Sequence, residues 1–112
     1  MSAIFRRLVD DRKVTKASLG KHAVDLEMRG AAYDLERAKV SLAESDFKWA
    51  TIKGYYSIFH SGRALLYRAG YRERSHRALL AALKELYGKT GRVSESNLAN
   101  FENAMNLREE AD

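Results

Sequence analysis

The chain has 112 residues, which is enough for one domain and too few for two. Its 46% hydrophobic and 31% charged residues are typical of a folded soluble protein, and the absence of cysteine excludes a thiol nucleophile, a cysteine-ligated zinc and any disulfide framework. The net charge of +5 favours an anionic partner, although solvated lysine and arginine side chains would give the same total.

No segment predicts a membrane span or a secretory signal. The longest apolar run, residues 78–83, is far shorter than the about 20 residues that a membrane helix needs. The N-terminal sequence MSAIFRRLVDDRK has arginines within its only apolar patch. We therefore expect a cytoplasmic protein without a membrane partner.

The first predicted element is a short helix from Ala3 to about Asp11. The connector RKVTKAS follows, and Ser18 is a predicted N-cap for the second helix. That second helix, over residues 19–43, carries an apolar stripe spaced alternately by four and three residues. The stripe consists of Val24, Met28, Ala31, Leu35, Ala38 and Leu42.

The third predicted helix begins at a cap supplied by Ser45 or Asp46. It ends at Gly70, because glycine adopts the left-handed conformation of a helix C-terminus freely. Its stripe is Trp49, Ile52, Tyr56, Phe59, Arg63 and Leu66. This helix therefore predicts a buried aromatic face that contains one arginine.

Arg63 stands where an apolar residue is expected. A charge on a buried stripe costs several kcal/mol unless it is paired, so we expect an acidic partner, a cleft or an interface at this point. The acids that the sequence suggests are Asp34, Glu36 and Glu102. His60, on the same helix, has the simpler interpretation of a core-edge histidine bonded to a neighbouring helix.

The segment GYRER, residues 70–74, is a predicted turn, and Ser75 caps a fourth helix that ends at Gly88. The loop GKTGRVSES follows, and Ser94 or Ser96 opens a last helix. The inward residues of these two helices are Leu79, Leu80, Leu83, Leu86, Tyr87, Leu98, Phe101, Met105 and Arg108. No segment shows the alternation of an exposed strand.

Four amphipathic helices joined by short turns predict an all-α fold. We expect an antiparallel up-and-down four-helix bundle with an additional short N-terminal helix. Residues 1–112 form a single domain in this prediction, and residues 1–17 are its N-terminal helix and connector.

Two local patterns are weak indications of a metal or phosphate site. Glu73-x-x-His76 is the one match to the spacing with which bundle helices hold metals, and it spans a turn and a helix start. GKTGR lacks the upstream glycine and the preceding strand of a phosphate-binding loop. We therefore predict no metal site and no cofactor.

The strongest chemical signal is the basic segment 63–77, in which five arginines accompany one glutamate, a net charge of +4. Its C-terminal part lies at the start of the fourth helix, where backbone N–H groups and the helix dipole favour an anion. The alternative is a capped helix with solvated arginines. The predicted nucleotide- or RNA-binding residues are Arg63, Arg68, Arg72, Arg74, His76 and Arg77, with His60 and Arg108 as a second cluster.

From about Asp34 to Asp112 the chain resembles a HEPN domain of the uncharacterised prokaryotic branch. The resemblance rests on ATIKGYYSIFHSGRALL at 50–66, GYRERSH at 70–76 and the terminal LREEAD. It implies an antiparallel helical bundle, often a homodimer, that binds nucleotide or RNA. Many family members are encoded beside a minimal nucleotidyltransferase in toxin–antitoxin-like pairs, so the resemblance also implies a nucleotidyltransferase partner.

A subset of the family are metal-independent ribonucleases with an Arg-x(4–6)-His motif, and this sequence departs from it. His76 would need an arginine at position 69, 70 or 71, which are alanine, glycine and tyrosine. The motif of that branch lies near the last helix, where a histidine at the minimum spacing from Arg108 would fall just beyond the last residue.

We predict no catalytic residue in the chain as given. Three functions remain open at this point. The first is a nucleotide- or RNA-binding module, the second a metal-independent ribonuclease acting through His76 or His60, and the third a structural protein-interaction bundle.

Overall fold

A computed structural model describes residues 1–111, and these residues are mostly helical. The helices are α1 (Ala3–Asp10), α2 (Gly20–Ala43), α3 (Phe47–Arg68), α4 (His76–Leu83), continued by a π-helical turn at Lys84–Gly88, and α5 (Glu95–Ala111). Two short strands, β1 (Val14–Lys16) and β2 (Tyr71–Glu73), form an antiparallel pair. The predominantly helical class is confirmed, whereas neither strand was predicted.

The four helices do not share one core as the bundle prediction requires, so that arrangement is not confirmed. α3 lies in the middle and contacts α4 and α5, whereas α2 contacts α3 alone among the helices and strands of residues 1–111. On the α2 stripe only Ala31 and Ala38 are buried. Met28, Leu35 and Leu42 are about half exposed. Small residues let α2 lie close to α3, whereas residues 1–111 leave much of the apolar surface of its larger side chains uncovered.

The main core lies on the other side of α3. Its buried residues come from α3 (Tyr55, Phe59, Leu66), α4 (Ala78, Leu79, Leu80, Ala82, Leu83), α5 (Leu98, Phe101, Met105) and the N-terminal segment (Phe5, Val14). Gly62 permits the close contact of α3 with α4 and α5. A Cβ atom there would lie 2.9 Å from a methyl group of Leu83 and 3.0 Å from the Phe101 ring.

Side-chain caps begin most of the helices where the sequence places them. Asp46 accepts the Trp49 N–H, Ser75 the Ala78 N–H and Ser94 the Asn97 N–H, at 3.4, 3.0 and 3.0 Å. Gly70 has a φ of +89°, as expected of the residue that ends α3. The prediction for Ser18 is wrong, because Leu19 is the N-cap of α2 and no side chain bonds the helix start.

The strand pair joins the predicted connector to the predicted turn, and both of those predictions are wrong. Val14 opposes Glu73, Thr15 opposes Arg72 and Lys16 opposes Tyr71. The Ala17 N–H donates to the Gly70 carbonyl at 2.9 Å, and the Arg74 N–H donates to the Lys13 carbonyl at 3.0 Å. Strands of three residues are too short to show a period in the sequence.

No helix within residues 1–111 combines the length and the apolar character that crossing a membrane requires.

Candidate functional site

The strand pair has one face toward the core and one toward solvent. Opposed residues of an antiparallel pair share a face, and successive residues alternate between faces. Val14 is fully buried, and the side chain of Glu73 opposite it is only 6% exposed. The next opposed pair, Thr15 and Arg72, is exposed. The single acid of the basic segment therefore points inward, while its neighbours point outward.

The outward surface, here called the basic face, consists of Lys13, Thr15, Arg72 and Arg74. Lys13 and Arg74 extend the strand pairing by one step. Their side chains lie on the same face of the strand pair as those of Thr15 and Arg72. All four residues are exposed. Within residues 1–111 the three cations form no side-chain hydrogen bond or ion pair. The basic face thus carries three unpaired positive charges and no acid.

A groove continues the basic face along the start of α4. It has a volume of about 470 Å³, and its charged lining residues are Asp11, Arg12, Lys13, Arg74 and Arg77. Arg77 is held by α5, since its Nη2 donates to Asn106 Oδ1 at 2.9 Å and pairs with Glu109 at 3.2 Å. Four cations against Asp11 and the Glu109 that pairs with Arg77 leave the groove electropositive.

Beneath the sheet, Arg63 is enclosed by two acids and two rings. Its Nε lies 2.9 Å from Glu73 Oε2, and its Nη1 lies 3.5 Å from Glu27 Oε1. The Nε–H is not directed at the carboxylate, so the Glu73 contact is an ion pair without a hydrogen bond. The guanidinium carbon lies 5.2 Å from the Phe59 ring centre and 5.4 Å from that of Tyr67. Arg63 is therefore a partly buried, charge-compensated residue.

The expectation of an acidic partner for Arg63 is right in kind, but the suggested acids are wrong. Those acids contact other side chains: Asp34 with His60, Glu36 with Lys39 and Glu102 with Lys84. The observed partners come from α2 and from β2. Glu73 was missed because an alternating strand, which the sequence did not reveal, is what turns it inward.

His60 lies between two carboxylates of α2. Its Nδ1 is 2.5 Å from Glu27 Oε2, and its Nε2 is 3.5 Å from Asp34 Oδ2. The α2 backbone runs close to the ring at Gly30, where an added Cβ would lie 3.5 Å from the imidazole. Because Glu27 contacts both His60 and Arg63, one carboxylate links a titratable ring to a fixed cation. Such an arrangement can hold or transfer a proton.

His76, which begins α4, is stacked among aromatic rings. Its ring centre lies 4.1 Å from that of Phe59, and its Nδ1 lies 2.6 Å from the Tyr55 hydroxyl oxygen. Burial lowers the pKa of His76 from its ordinary value of 6.5, and the Arg108 and Arg63 guanidinium groups lower it too, against Glu109. The neutral imidazole and the Tyr55 hydroxyl therefore share a hydrogen bond at Nδ1.

Tyr55 connects His76 to the last helix. Burial raises the pKa of Tyr55 to about 12, against the opposing effect of the Arg108 charge, so its hydroxyl stays a donor at neutral pH. The Arg108 guanidinium lies 5.2 Å from the Tyr55 ring centre. The predicted second cluster is therefore regrouped: Arg108 lies with His76, while His60 lies with Arg63.

The predicted basic residues divide among four places. Arg72 and Arg74 lie on the basic face, Arg77 lies in the groove, and Arg63 and His76 lie inside. Arg68 is exposed at the end of α3, where it lines a separate cavity of about 530 Å³ whose other lining residues include Lys21 and Tyr67. Sequence reasoning missed the contributions of Arg12, Lys13 and Thr15, because pairing of β1 with β2 is what places them beside the arginines.

No group of three or more histidine, aspartate or glutamate side chains in the described part of the chain, residues 1–111, is placed to hold a metal ion.

Comparison with known proteins agrees with the resemblance seen in the sequence. The HEPN domain model matches residues 24–112, a stretch that begins within α2 and includes α3, β2, α4 and α5. No curated protein and no solved structure matches the chain significantly. HEPN domains are commonly associated with nucleotides or RNA, and they often dimerise. Because the match covers most of the sequence, the chain belongs to the HEPN domain family.

Proposed function

We propose that this HEPN-domain protein binds RNA or a nucleotide through the basic face and the adjoining groove. One observation carries the proposal: β2 alternates so that Arg72 and Arg74 are exposed and unpaired, while Glu73 is turned inward to Arg63. The positive charge of the segment is therefore directed to solvent without its neutralising acid. Arginine guanidinium groups bind phosphate oxygens in a bidentate manner, which suits an anionic ligand of this class.

The test compares two double variants that lose the same charge. Arg72→Ala/Arg74→Ala removes two cations of the basic face, whereas Arg29→Ala/Arg37→Ala removes two exposed cations of α2, which contacts neither strand. Fluorescence anisotropy with labelled RNA and calorimetry with ATP give the affinities over a range of salt concentrations. We expect the first variant to bind more weakly, with a slope of log affinity against log salt that is about 1.4 smaller in magnitude than that of the parent. We expect the second variant to behave as the parent. Equal binding by both variants would contradict the proposal.

We further propose that the functional unit is a homodimer formed through the α2–α3 hairpin. This hairpin leaves large apolar side chains exposed on its surface: Leu26, Met28, Tyr33, Leu35, Val40, Leu42, Phe47 and Trp49. Extensive exposed apolar surface marks an interaction site in most proteins, and a second copy is the occupant that the family's frequent dimerisation supports.

Sedimentation measurements test the dimer. We expect the parent to sediment as a dimer, and Leu35→Asp/Leu42→Asp to sediment as a monomer with unchanged helical circular dichroism. The matched control is Glu36→Ala, which changes an exposed polar residue of the same helix. A parent that sediments as a monomer would rule out this part of the proposal.

A second candidate function is metal-independent cleavage of RNA. The observation that favours it is the shared contact of Glu27 with His60 and Arg63, which sets a proton-transfer group beside a cation. Incubation of labelled RNA with the protein in excess chelator tests it. Cleavage that disappears in His60→Ala or His76→Ala supports this function, and no cleavage, or cleavage that survives both changes, excludes it.

The family's association with minimal nucleotidyltransferases supports such an enzyme as a second partner, in a toxin–antitoxin-like pair. Co-purification of this chain with the protein encoded beside it tests that proposal. If the two proteins bind each other and neither RNA nor ATP binds the complex, the third function, a structural interaction bundle, replaces the first.

A further inference from the structure

We propose that the segment preceding the family match makes the basic face a site for the sugar–phosphate backbone of RNA, bound independently of its bases. The inference rests on the proposed RNA binding. It adds which part of the RNA is bound and which residues outside the family match take part. It concerns Lys13 and Thr15, which lie before residue 24, where the HEPN match begins. On this proposal the binding surface combines residues within the matched region with residues that precede it.

The N-terminal segment is an integral part of the structure. Phe5 and Val14 are both 0% exposed, and the Phe5 ring contacts the Tyr71 ring edge-on with 4.9 Å between centres. The Ser2 hydroxyl donates to Glu85 at 2.7 Å. Lys13 is therefore held beside β2 by a packed core and by the Arg74 N–H bond to its carbonyl oxygen.

The cations of the basic face form two rows. Lys13 and Arg74 lie opposite each other and form the first row. Arg72 lies two residues before Arg74, in the second row, opposite Thr15. Opposed Cα atoms of a hydrogen-bonded antiparallel pair are about 5.5 Å apart, and same-face residues along a strand are about 7 Å apart. Charges distributed over this area can contact several phosphates of one strand at once, which a single helix terminus cannot do.

Neither the basic face nor the lining of the groove includes an aromatic ring on which a base could stack. Single-strand binders hold bases by stacking them on aromatic side chains. The nearest strand aromatic, Tyr71, lies on the inner side of the sheet against Phe5. The groove is lined by cations, Asp11, Ser75 and small or aliphatic side chains, with no aromatic ring among them. The absence of an aromatic platform, together with the concentration of unpaired cations, favours the phosphates as the part of RNA that these residues bind.

Contact with phosphates alone has a quantitative consequence. Three contacts on a single strand give a slope of log affinity against log salt of about −2.1, and loss of one gives about −1.4. About a fourfold rise in salt should therefore weaken the parent about 18-fold and a single-charge variant about 7-fold.

The experiment measures binding of fluorescein-labelled oligouridylate and oligoadenylate to the full chain. The variants are Lys13→Ala, Lys13→Arg as the charge-retaining rescue, and Arg37→Ala as the matched control on α2. Inorganic polyphosphate and ATP serve as competitors at equal phosphate concentration. We expect equal affinity for the two oligomers, displacement by polyphosphate but not by ATP, and a reduced salt slope for Lys13→Ala alone.

The outcomes separate this inference from the proposed function. If Lys13→Ala binds as Arg37→Ala does, if the two oligomers differ in affinity, or if ATP competes as well as polyphosphate, the backbone inference is overturned. The proposed function still stands in those cases when Arg72→Ala/Arg74→Ala weakens binding. If the parent binds neither oligomer nor ATP, both are rejected.

Discussion

The basic face and the ion network beneath it use the same strand in opposite ways. On the outer face, Arg72 and Arg74 are exposed and unpaired. Glu73, which lies between them in the sequence, is on the inner face and neutralises the charge of Arg63. The outer charges remain hydrated and available to a ligand. The inner charges have lost much of their hydration, and the ion pairs and ring contacts replace it. The position of a charge relative to the sheet, more than its position in the sequence, therefore sets its role.

The largest effect is expected from Glu73→Gln. The change leaves the Arg63 guanidinium with Glu27 as its remaining carboxylate, at the longer distance of 3.5 Å. Loss of one partner of a buried pair costs about 3 kcal/mol, because the other charge is left uncompensated. Urea denaturation measures the loss, with Arg72→Ala on the outer face as the control, for which we expect a change within about 0.5 kcal/mol. Equal stability of the two variants would remove the distinction between the faces.

A smaller loss is expected from Tyr55→Phe. The change deletes the hydroxyl that is hydrogen-bonded to His76 Nδ1 and leaves this partly buried nitrogen without its partner. Such a loss costs about 1–2 kcal/mol. Thermal or urea unfolding measures it, and Tyr33→Phe, at an exposed tyrosine of α2, is the matched control. No difference between these variants would show that water replaces the lost hydroxyl.

The pH dependence of stability tests His76 itself. Its pKa in the folded protein is below the ordinary value of 6.5, so in the pH range between the two the unfolded chain binds the proton and the folded chain does not. Stability should therefore be unaffected by this group above about pH 6.5 and fall as the pH drops below it, by at most about 1.4 kcal/mol per pH unit.

The comparison for this prediction is His76→Phe, which keeps an aromatic ring and removes the titration. Subtracting its stability curve from that of the parent leaves the contribution of His76, free of the other two histidines. A difference that stays constant through this range, or that grows in favour of the parent at acid pH, would contradict the lowered pKa.

The smallest effect is expected from Arg68→Ala. Arg68 belongs to the same basic segment but lines a different cavity, with Lys21, and is not one of the paired strand residues. Its removal should leave the salt slope of RNA binding within error of the parent, whereas Arg72→Ala lowers it by about 0.7. Equal effects of the two changes would mean that the linear charge of the segment matters and that the sheet face does not.

Much of the helical structure was predictable because its signals are local. A cap residue and the backbone N–H groups it bonds lie within three positions, as at Ser75 and Asp46. Gly70 ends α3 for an equally local reason, its positive φ. The HEPN resemblance was visible for the same reason, since it follows short continuous motifs.

The strands and the packing of α2 were not predictable in this way. β1 and β2 are each three residues long, and the positions that pair in them are more than fifty residues apart in the chain. The α2 stripe has the apolar period of a buried helix. Because α3 is the one element that α2 contacts within residues 1–111, half of the residues of this stripe are exposed. Periodicity identifies a face and does not identify what covers it.

For the site, the amino-acid sequence by itself determined that five arginines and one glutamate follow one another near a helix start. It also marked Arg63 as a charge in need of a partner. Only the tertiary structure decided which partner that is, because pairing of β1 with β2 imposes the alternation that turns Glu73 inward and Arg72 and Arg74 outward. The same pairing brings Lys13 beside them, since strand register, unlike helix periodicity, depends on residues that are distant in the chain.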